Sequence, residues 1–353
     1  MRHLTLCISA SALALLTACG GSSATDDNKN TTSTNLVTST EDVYVAGAEV
    51  VGSDTQATYW FNGNATHLGS GIATGIAVSQ GKVAVSGFSD QNGVIHAIQW
   101  INGTSTLLPS PDPNVPAKTA SFAYGTATAN GKVYTVGHYG KQAVLWTDGV
   151  PLLLSGATES CAYTVSVSGN TVYAGGYFID GSGKEIAAVW QSGATMPYLS
   201  DGTVNTEVRG IGLKGSDVVC AGFKLLGNGK NNAVSWVNQQ SASLSANGAS
   251  NLDAYALAVS NGDVYAAGHA DDKGVIWKNG SLFFTTSDAS RKGVIRGLAI
   301  RSTKQGDVIY ATGAYTSGSG ANSSSNAIYW KNGIETQLSK SDSEAYAICV
   351  VPR

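Results

Sequence analysis

The amino-acid sequence predicts an all-β fold, a closed seven-bladed β-propeller with four antiparallel strands in each blade. Three observations lead to this prediction. The seven tryptophans recur at one position of a repeated unit, and each unit contains four short apolar runs. The first and last units are incomplete in complementary ways. Four strands in a repeat of roughly 45 residues are typical of a propeller blade.

The tryptophans mark the repeat, and a turn follows most of them. "WFNG", "WING", "WTDG", "WQSG" and two copies of "WKNG" share this pattern, and "WVNQ" departs from it. Asn-Gly and Asp-Gly favour two-residue hairpins, in which both central residues adopt positive φ. Each tryptophan is therefore predicted near the end of a strand that turns straight back. The seven positions are Trp60, Trp100, Trp146, Trp190, Trp236, Trp277 and Trp330.

A second hairpin recurs within each unit. The phrase "VSNGDVYAAGH" (Val259–His269) has counterparts elsewhere in the chain, with a tight turn between two apolar runs. Together with the tryptophan hairpin, it gives four strands per unit, such as Ala254–Ser260, Asp263–His269, Gly274–Trp277 and Ser281–Thr286. A β-solenoid is the alternative, but solenoid repeats are usually shorter and lack internal hairpins.

The two ends of the repeat region predict how the ring closes. The chain enters at Glu41–Gly47, a second strand with no first strand before it, and finishes at Glu344–Val351, a first strand with nothing after it. Pairing of these two strands completes a seventh blade and removes the exposed edges of an open array. The seven first strands then begin near Ala73, Ala123, Ala162, Val208, Ala254, Ile295 and Ala345.

Composition agrees with this fold and excludes some functions. The 353 residues include 43 glycines, and only 13% are charged, with a formal net charge of −3. Many glycines suit short strands and tight turns. The weakly acidic balance argues against binding to nucleic acid and against electrostatic adhesion to anionic lipid. We expect a monomer that uses no cofactor.

The N-terminus predicts export and a lipid anchor. Arg2 precedes an apolar run from Leu4 to Leu16, which is too short to span a bilayer, so residues 1–18 are predicted to be a signal peptide. Leu16-Thr17-Ala18-Cys19 resembles a bacterial lipobox. This resemblance implies cleavage before Cys19, acylation of that cysteine with palmitate-type chains, and attachment to the outer membrane. An ordinary signal peptide is the alternative.

The remaining chain divides into a tether and the propeller. Residues 19–41 contain almost no large apolar side chains, so we predict a lipidated flexible tether there and the propeller at residues 42–353. Cys161, Cys220 and Cys349 lie in different repeats. We expect all three to be small buried side chains outside any disulfide framework.

The wording of the repeat resembles a known group of proteins. Its two halves, "ALAVSNGDVYAAG" and "GVIWKNGSLFF" in the sixth unit, resemble repeats of uncharacterised bacterial surface lipoproteins. They are distantly similar to HAF-type extracellular repeats. The resemblance covers residues 42–353 and implies a propeller at the cell envelope. It implies no activity, because propellers carry many unrelated functions.

The candidate ligand-binding residues lie at two repeated positions that should meet at one face of the ring. Aromatic, imidazole and guanidinium groups around a channel mouth could stack on sugars or bind carboxylates. Alternatively, these side chains wedge between blades and cap the channel. The first-strand position gives Thr74, Tyr124, Tyr163, Arg209, Tyr255, Arg296 and Tyr346, and the residue after each second-strand glycine is Ala48, Phe88, His138, Tyr177, Phe223, His269 and Ala314.

No catalytic constellation is recognisable, so the sequence predicts a binding or interaction module, with a glycan or an envelope protein as partner. A carbohydrate-active hydrolase or lyase is the alternative, because Glu207, Asp253 and Glu344 precede first strands and could meet near the channel. No G-x-S-x-G motif is present. A shared metal site for His138 and His269 is not expected. The segment Asp180–Glu185 suggests a calcium turn only weakly.

Overall fold

The computed structural model describes residues 16–17, 41–116, 118–154, 159–196, 199–200, 202–288, 290–318 and 323–353. Seven sheets of four antiparallel strands form seven blades, as the sequence predicted. A further short strand, β1 (Leu16–Thr17), pairs in parallel with the inner strand of blade 4, at Thr164 and Val165. The described part of the chain contains no helix, and hence none that could cross a bilayer.

Each blade runs from an inner strand to an outer strand. Blade 1 contains β29 (Ser343–Pro352), β2 (Glu41–Val51), β3 (Asp54–Phe61) and β4 (Asn64–Ser70). Blade 2 contains β5 (Ile72–Ser79), β6 (Lys82–Gln91), β7 (Val94–Ile101) and β8 (Thr104–Leu107), and blade 3 contains β9 (Ser121–Ala129), β10 (Lys132–Tyr139), β11 (Gln142–Thr147) and β12 (Val150–Leu153). Blade 4 contains β13 (Ser160–Ser168), β14 (Thr171–Ile179), β15 (Glu185–Gln191) and β16 (Ala194–Thr195). Blade 5 contains β17 (Thr206–Lys214), β18 (Asp217–Leu225), β19 (Asn231–Val237) and β20 (Gln240–Ser243). Blade 6 contains β21 (Leu252–Ser260), β22 (Asp263–Ala270), β23 (Lys273–Lys278) and β24 (Ser281–Thr285), and blade 7 contains β25 (Lys292–Thr303), β26 (Gly306–Ser317), β27 (Ser324–Lys331) and β28 (Ile334–Gln337).

The ring closes through blade 1, and this prediction is confirmed. β29 supplies the inner strand and pairs with β2 from Glu41 opposite Pro352 to Glu49 opposite Ser343. Charged side chains reinforce the start of this pairing. Glu41 is only 6% exposed, and its carboxylate lies 3.4 Å from Arg301 Nε and 3.3 Å from Lys331 Nζ, both in blade 7. Backbone pairing therefore joins the C-terminal strand to blade 1, and the buried carboxylate of Glu41 ties blade 7 to blade 1.

The tryptophans lie on the third strand of every blade and are almost completely buried. The indole N–H groups of Trp100, Trp146, Trp236 and Trp277 donate to backbone carbonyls in or just after the outer strand of the preceding blade. Trp146 Nε1 donates to Pro109 O at 2.8 Å, and Trp236 and Trp277 make equivalent bonds. At the closing blade, Trp60 packs against Tyr310, Ala327 and Leu338 of blade 7, but its buried Nε1 has no hydrogen-bond partner. The seven tryptophans therefore pack between blades, and none of them is an exposed platform on which a ligand could stack.

The turn after each tryptophan explains why asparagine or aspartate recurs there. Asn62, with a φ of 48°, forms the turn, and its Oδ1 accepts a bond from Val43 N at the start of the second strand. Asn102, Asp148, Asn238, Asn279 and Asn332 repeat this bond. Asn62 Nδ2 also donates to Asp42, which precedes the "VY" of the repeat. One side chain thus ties the third-to-fourth-strand turn to the second strand.

The two faces of the ring differ. On one side, which we call the hairpin face, every hairpin turns through two residues. On the other side, the loop face, the connections vary. Gly71 alone joins β4 to β5, whereas residues 108–120 join β8 to β9, and five-residue loops follow β14 and β18. Length variation is therefore confined to the loop face.

The predicted signal peptide and lipid anchor lie largely outside the residues that the structure describes. Of residues 1–18, only Leu16 and Thr17 are described, and Cys19 and the rest of the predicted tether up to Thr40 lie outside the described residues. Cys161 and Cys220 are buried free thiols, as expected. Cys349 is buried, as expected, but it is disulfide-bonded in the full-length chain, so the prediction that it lies outside any disulfide was wrong. Spacing along the chain gave no information on which thiols approach each other.

We predict that Trp146→Phe costs more stability than Trp60→Phe. Both changes remove a similar volume from a buried site, but only Trp146 loses an indole hydrogen bond and leaves Pro109 O without its donor. The extra loss should be about 1 kcal/mol, the usual net value of such a bond. Urea denaturation of the two variants measures it, and equal losses would contradict the interblade role of the indole N–H.

Candidate functional site

The loop-face ends of the first and second strands carry the side chains that the sequence selected. In every inner strand, the pairing with the second strand slips by one residue, leaving a β-bulge. The unpaired residues are Thr74, Tyr124, Tyr163, Arg209, Tyr255, Arg296 and Tyr346. A bulge turns a side chain away from the regular alternation of the strand. Sequence reasoning found these positions without identifying the bulge.

A glycine of the second strand makes each bulge possible. Gly137 lies opposite the bulge at Tyr124, and a Cβ added to Gly137 would lie 1.9 Å from Phe122 O. The equivalent distance is 1.8–2.0 Å in all seven blades, at Gly47, Gly87, Gly137, Gly176, Gly222, Gly268 and Gly313. Any other residue would force the backbone apart. The glycine before the predicted second-strand position is therefore explained by close backbone approach.

The second-strand set lies directly beside the bulges. Each member pairs with the residue two positions before a bulge, as Phe88 does with Ile72 and His269 with Asp253. We call the bulge residues, the second-strand set and these paired residues the mouth layer. The paired residues, of which the sequence had selected only the three carboxylates, are Ile72, Phe122, Cys161, Glu207, Asp253, Val294 and Glu344.

In blades 2–4 most side chains of the mouth layer are aromatic. Phe88 contacts Phe122 edge-on at a ring distance of 4.9 Å, and Phe122 stacks on His138 at 4.9 Å. Tyr124 and Tyr163 lie 5.3 Å apart across the boundary between blades 3 and 4. These contacts join three blades, since ring pairs at such distances are mutually attractive.

His138 has a defined hydrogen-bonding arrangement within this aromatic part. Its Nδ1 lies 2.9 Å from Gly140 O, and its Nε2 lies 3.3 Å from the hydroxyl of Tyr124. A carbonyl only accepts, so Nδ1 carries the proton and Nε2 accepts from Tyr124 in the neutral ring. Burial lowers the pKa of His138, although the bond to Gly140 acts in the opposite direction.

The charged side chains of the mouth layer lie in blades 5, 6, 7 and 1. Arg209 and Glu207 form an ion pair at 2.5 Å, with both side chains almost fully buried, and the guanidinium lies 3.8 Å from the centre of the Tyr163 ring. Burial raises the pKa of Glu207 to about 8, against the opposing effect of Arg209. Asp253 lies 3.4 Å from His269, and Asn231 Nδ2 donates to Asp253 at 2.8 Å.

Arg296 lies between two tyrosines of neighbouring blades. Its guanidinium carbon is 5.3 Å from the centre of the Tyr346 ring and 6.0 Å from that of Tyr255. Glu344 lies 3.4 Å from Arg296 Nη2 and accepts a 2.7 Å bond from the Tyr346 hydroxyl. The side chains of Arg296 and Glu344 are 19% and 32% exposed, so this part of the layer is open to solvent.

The structure brings the eleven candidate side chains to one face but does not expose them equally. Tyr177, His138, Tyr255, His269 and Arg296 are half-buried. The others are buried in the contacts between blades, as the wedging interpretation predicts: Tyr124, Tyr163, Arg209, Tyr346, Phe88 and Phe223. Ligand binding by the half-buried group stays a prediction.

A cleft of about 290 Å³ opens on the loop face beside the polar part of the mouth layer. It lies where blades 1, 2 and 7 meet at the closing seam, and we call it the seam cleft. Glu344 and Tyr346 connect it to the mouth layer, and the sequence gave no signal for it because its walls come from both ends of the chain. Its lining includes Glu49, Thr55, Ile72, Ser325, Asp342 and Ser343.

The carboxylates proposed for hydrolysis each have partners within the protein. Glu207 and Asp253 are 4% and 5% exposed, and Glu344 is held by Tyr346. A sugar would have to reach buried carboxyls for them to act as acid and base. The hydrolase interpretation stays a prediction without support from this geometry.

The described residues contain no group of three or more His, Cys, Asp or Glu side chains that could hold a metal ion. In the segment Asp180–Glu185, one carboxylate oxygen of Asp180 already accepts bonds from Ser182 N, Ser182 Oγ and Lys184 N. The loop therefore supplies its own donors to the oxygen that a calcium ion would need.

No protein-family model matches the sequence, and no curated protein matches it. Solved structures resemble the fold. The β-propeller domain of the Trilobed protease from Pyrococcus furiosus has a TM-score of 0.50 and 11% identity, over 86% of this chain and 93% of that domain. It is described as having an open velcro topology, whereas β29 and β2 close this ring. The likeness shows the propeller fold alone.

Two further structures are less similar. A puromycin-hydrolyzing peptidase of Mycobacterium tuberculosis has a TM-score of 0.49 and 12% identity over 83% of this chain, which spans about half of the peptidase, 53% of its length. The computationally designed Ika8 protein has a TM-score of 0.41 and 19% identity, over 73% of this chain and 74% of that one.

We predict that Gly137→Ala strongly destabilises the protein whereas Gly181→Ala does not. The added Cβ at position 137 meets a backbone oxygen at 1.9 Å, and at position 181 it meets nothing within 4 Å. Overpacking of this kind costs roughly 1–3 kcal/mol or more, and an open surface site changes stability by less than about 0.5 kcal/mol. Chemical denaturation measures both, and similar stabilities would contradict the requirement for glycine at the bulge.

We also predict that the protein loses stability as the pH falls below about 6.5, and that His138→Phe reduces this loss. The lowered pKa of His138 means that the unfolded chain binds a proton more readily than the folded one. Stability then rises with pH through this range, by about 1.4 kcal/mol at most for each unit of pKa depression. Denaturation at pH 5 and pH 8 measures the change, and an identical pH dependence in the variant would refute it.

Proposed function

We propose that this protein is a lipid-anchored, extracytoplasmic binding module that recognises a carbohydrate residue in the seam cleft. The observation that carries the proposal is the cleft itself, which lies on the loop face beside the partly exposed Arg296 and Glu344. Its volume of about 290 Å³ is near the lower limit of ligand pockets, roughly 300 Å³. One sugar residue is a ligand of suitable size.

The lining has the chemistry that hydroxyl-rich ligands need. The carboxylates of Glu49, Asp342 and Glu344 accept hydrogen bonds, and the hydroxyls of Thr55 and Ser325 both donate and accept them. Sugar hydroxyls supply matching donors and acceptors. Glu49 is held from below by the Ser339 hydroxyl, and Glu344 by Tyr346, so two of the acceptors are positioned before a ligand arrives.

The anchor is supported by the sequence. A charged residue, a short apolar run and Leu16-Thr17-Ala18-Cys19 form the pattern of a lipoprotein leader. Acyl chains on Cys19 would hold the protein at the outer membrane, since several buried chains give stable anchoring. The proposal assigns no catalytic role to the mouth layer, because its carboxylates serve as partners of neighbouring side chains.

A steric variant tests the cleft. Thr55→Trp places an indole in the cleft from an exposed position, and Thr104→Trp makes the same change at an exposed position on the outer strand of blade 2. Protein produced without residues 1–18 is screened on a glycan array, and a retained glycan is then titrated by calorimetry. We expect Thr55→Trp to weaken binding at least about tenfold, which is 1.4 kcal/mol, and Thr104→Trp to leave it unchanged.

Two results would overturn the proposal. Retention of no glycan would refute the ligand class, and a protein captured at the loop face would then replace the sugar as partner. Equal affinities for the wild type and Thr55→Trp would show that any bound glycan lies elsewhere.

A further inference from the structure

The topology fixes the face of the ring from which the N-terminal tether leaves. β2 begins at Glu41 and runs to Val51, where a turn at Gly52 and Ser53 leads into β3 on the loop face. Glu41 therefore lies at the opposite end of the strand, on the hairpin face. Its partner Pro352 and the neighbouring Arg353, which lies 2.6 Å from Asp42, are at the same end.

From this topology we propose that the hairpin face is the membrane-proximal surface of the protein and that the seam cleft and mouth layer point away from the bilayer. The inference rests on the acylation of Cys19 in the proposed function. The partner of the hairpin face is then the headgroup region of the membrane that holds the anchor.

The length of the tether decides which face of the ring can lie against the membrane. Residues 20–40 comprise 21 residues between Cys19 and β2. As the flexible tether that the sequence predicts, a chain of this length would have a root-mean-square span of about 25 Å. Bringing the loop face to the bilayer would require the tether to pass around the ring, at least about 30 Å along strands of nine residues, plus the lateral distance to the rim. The hairpin face is reached with the tether relaxed.

The surfaces of the two faces agree with this orientation. The hairpin face carries two-residue turns built from residues such as Asn62, Gly63, Asn130 and Gly131, and it has no variable loops. All of the described length variation and the seam cleft lie on the loop face. A short, uniform surface can approach headgroups closely, whereas a ligand site needs access from solution.

A matched pair of labels tests the orientation. Lys132 is the first residue of β10, on the hairpin face, and Lys141 lies in the turn that follows β10 on the loop face; both are exposed. Lys132→Cys and Lys141→Cys place a donor fluorophore at the two ends of this strand and its turn, about 25 Å apart. The native Cys161, Cys220 and Cys349 are no more than 4% exposed, so the introduced thiol is the one that reacts.

The labelled lipoproteins are purified from a host that acylates them and reconstituted into phosphatidylethanolamine and phosphatidylglycerol vesicles that carry an acceptor-labelled lipid. We expect stronger energy transfer from position 132 than from position 141. A second pair in other blades, Lys304→Cys on the hairpin face and Lys273→Cys on the loop face, should repeat the order. Equal transfer from both faces, or the reverse order, would overturn the orientation.

Flotation of the same vesicles distinguishes a failure of the proposed orientation from a failure of the proposed lipid anchor on Cys19. Protein that floats with the wrong order of transfer would refute the orientation and leave the anchor standing. If the wild type does not float, or if the Cys19→Ser variant floats as well as the wild type, the lipid anchor is refuted and the orientation with it. Failure of glycan binding bears on neither result, because the labels report distance alone.

Discussion

The pairing of β29 with β2 is the interaction on which the rest of the structure depends. It joins segments about 300 residues apart in the chain, and it supplies the inner strand without which blade 1 would have an open edge. The burial of Glu41 between Arg301 and Lys331 adds a charged contact to this seam. Because the seam cleft is formed from both ends of the chain, the proposed ligand site exists only in the closed ring.

Within the closed ring, a repeated backbone device places the functional candidates. One bulge per inner strand, opposite one glycine per second strand, turns seven side chains into the same layer at the loop face. Because this backbone geometry is the same in every blade, the residue at each bulge decides the local chemistry of the mouth layer. Aromatic residues in blades 2–4 pack blade against blade, and charged residues in the remaining blades satisfy one another while Arg296 and Glu344 keep contact with solvent.

The same frame separates two tasks. The hairpin face carries the asparagine-capped turns that hold each blade together, and β2 begins there at Glu41. The loop face carries the length variation and the cleft. The large clusters of buried apolar side chains lie between neighbouring blades, so loops on one face can vary without altering the turns on the other.

The sequence by itself determined the number of blades, the strand order and the mode of closure. Trp60 to Trp330 recur with the turn chemistry of Asn-Gly, and hairpin turns are local properties of a few neighbouring residues. It also selected the bulge positions, since Tyr124 and its counterparts share one register. Only the tertiary structure decided which of these side chains are accessible and where a cleft opens. Exposure depends on how adjacent blades pack, as in the burial of Arg209 beside Tyr163, and such contacts between distant segments have no periodic signal in the chain.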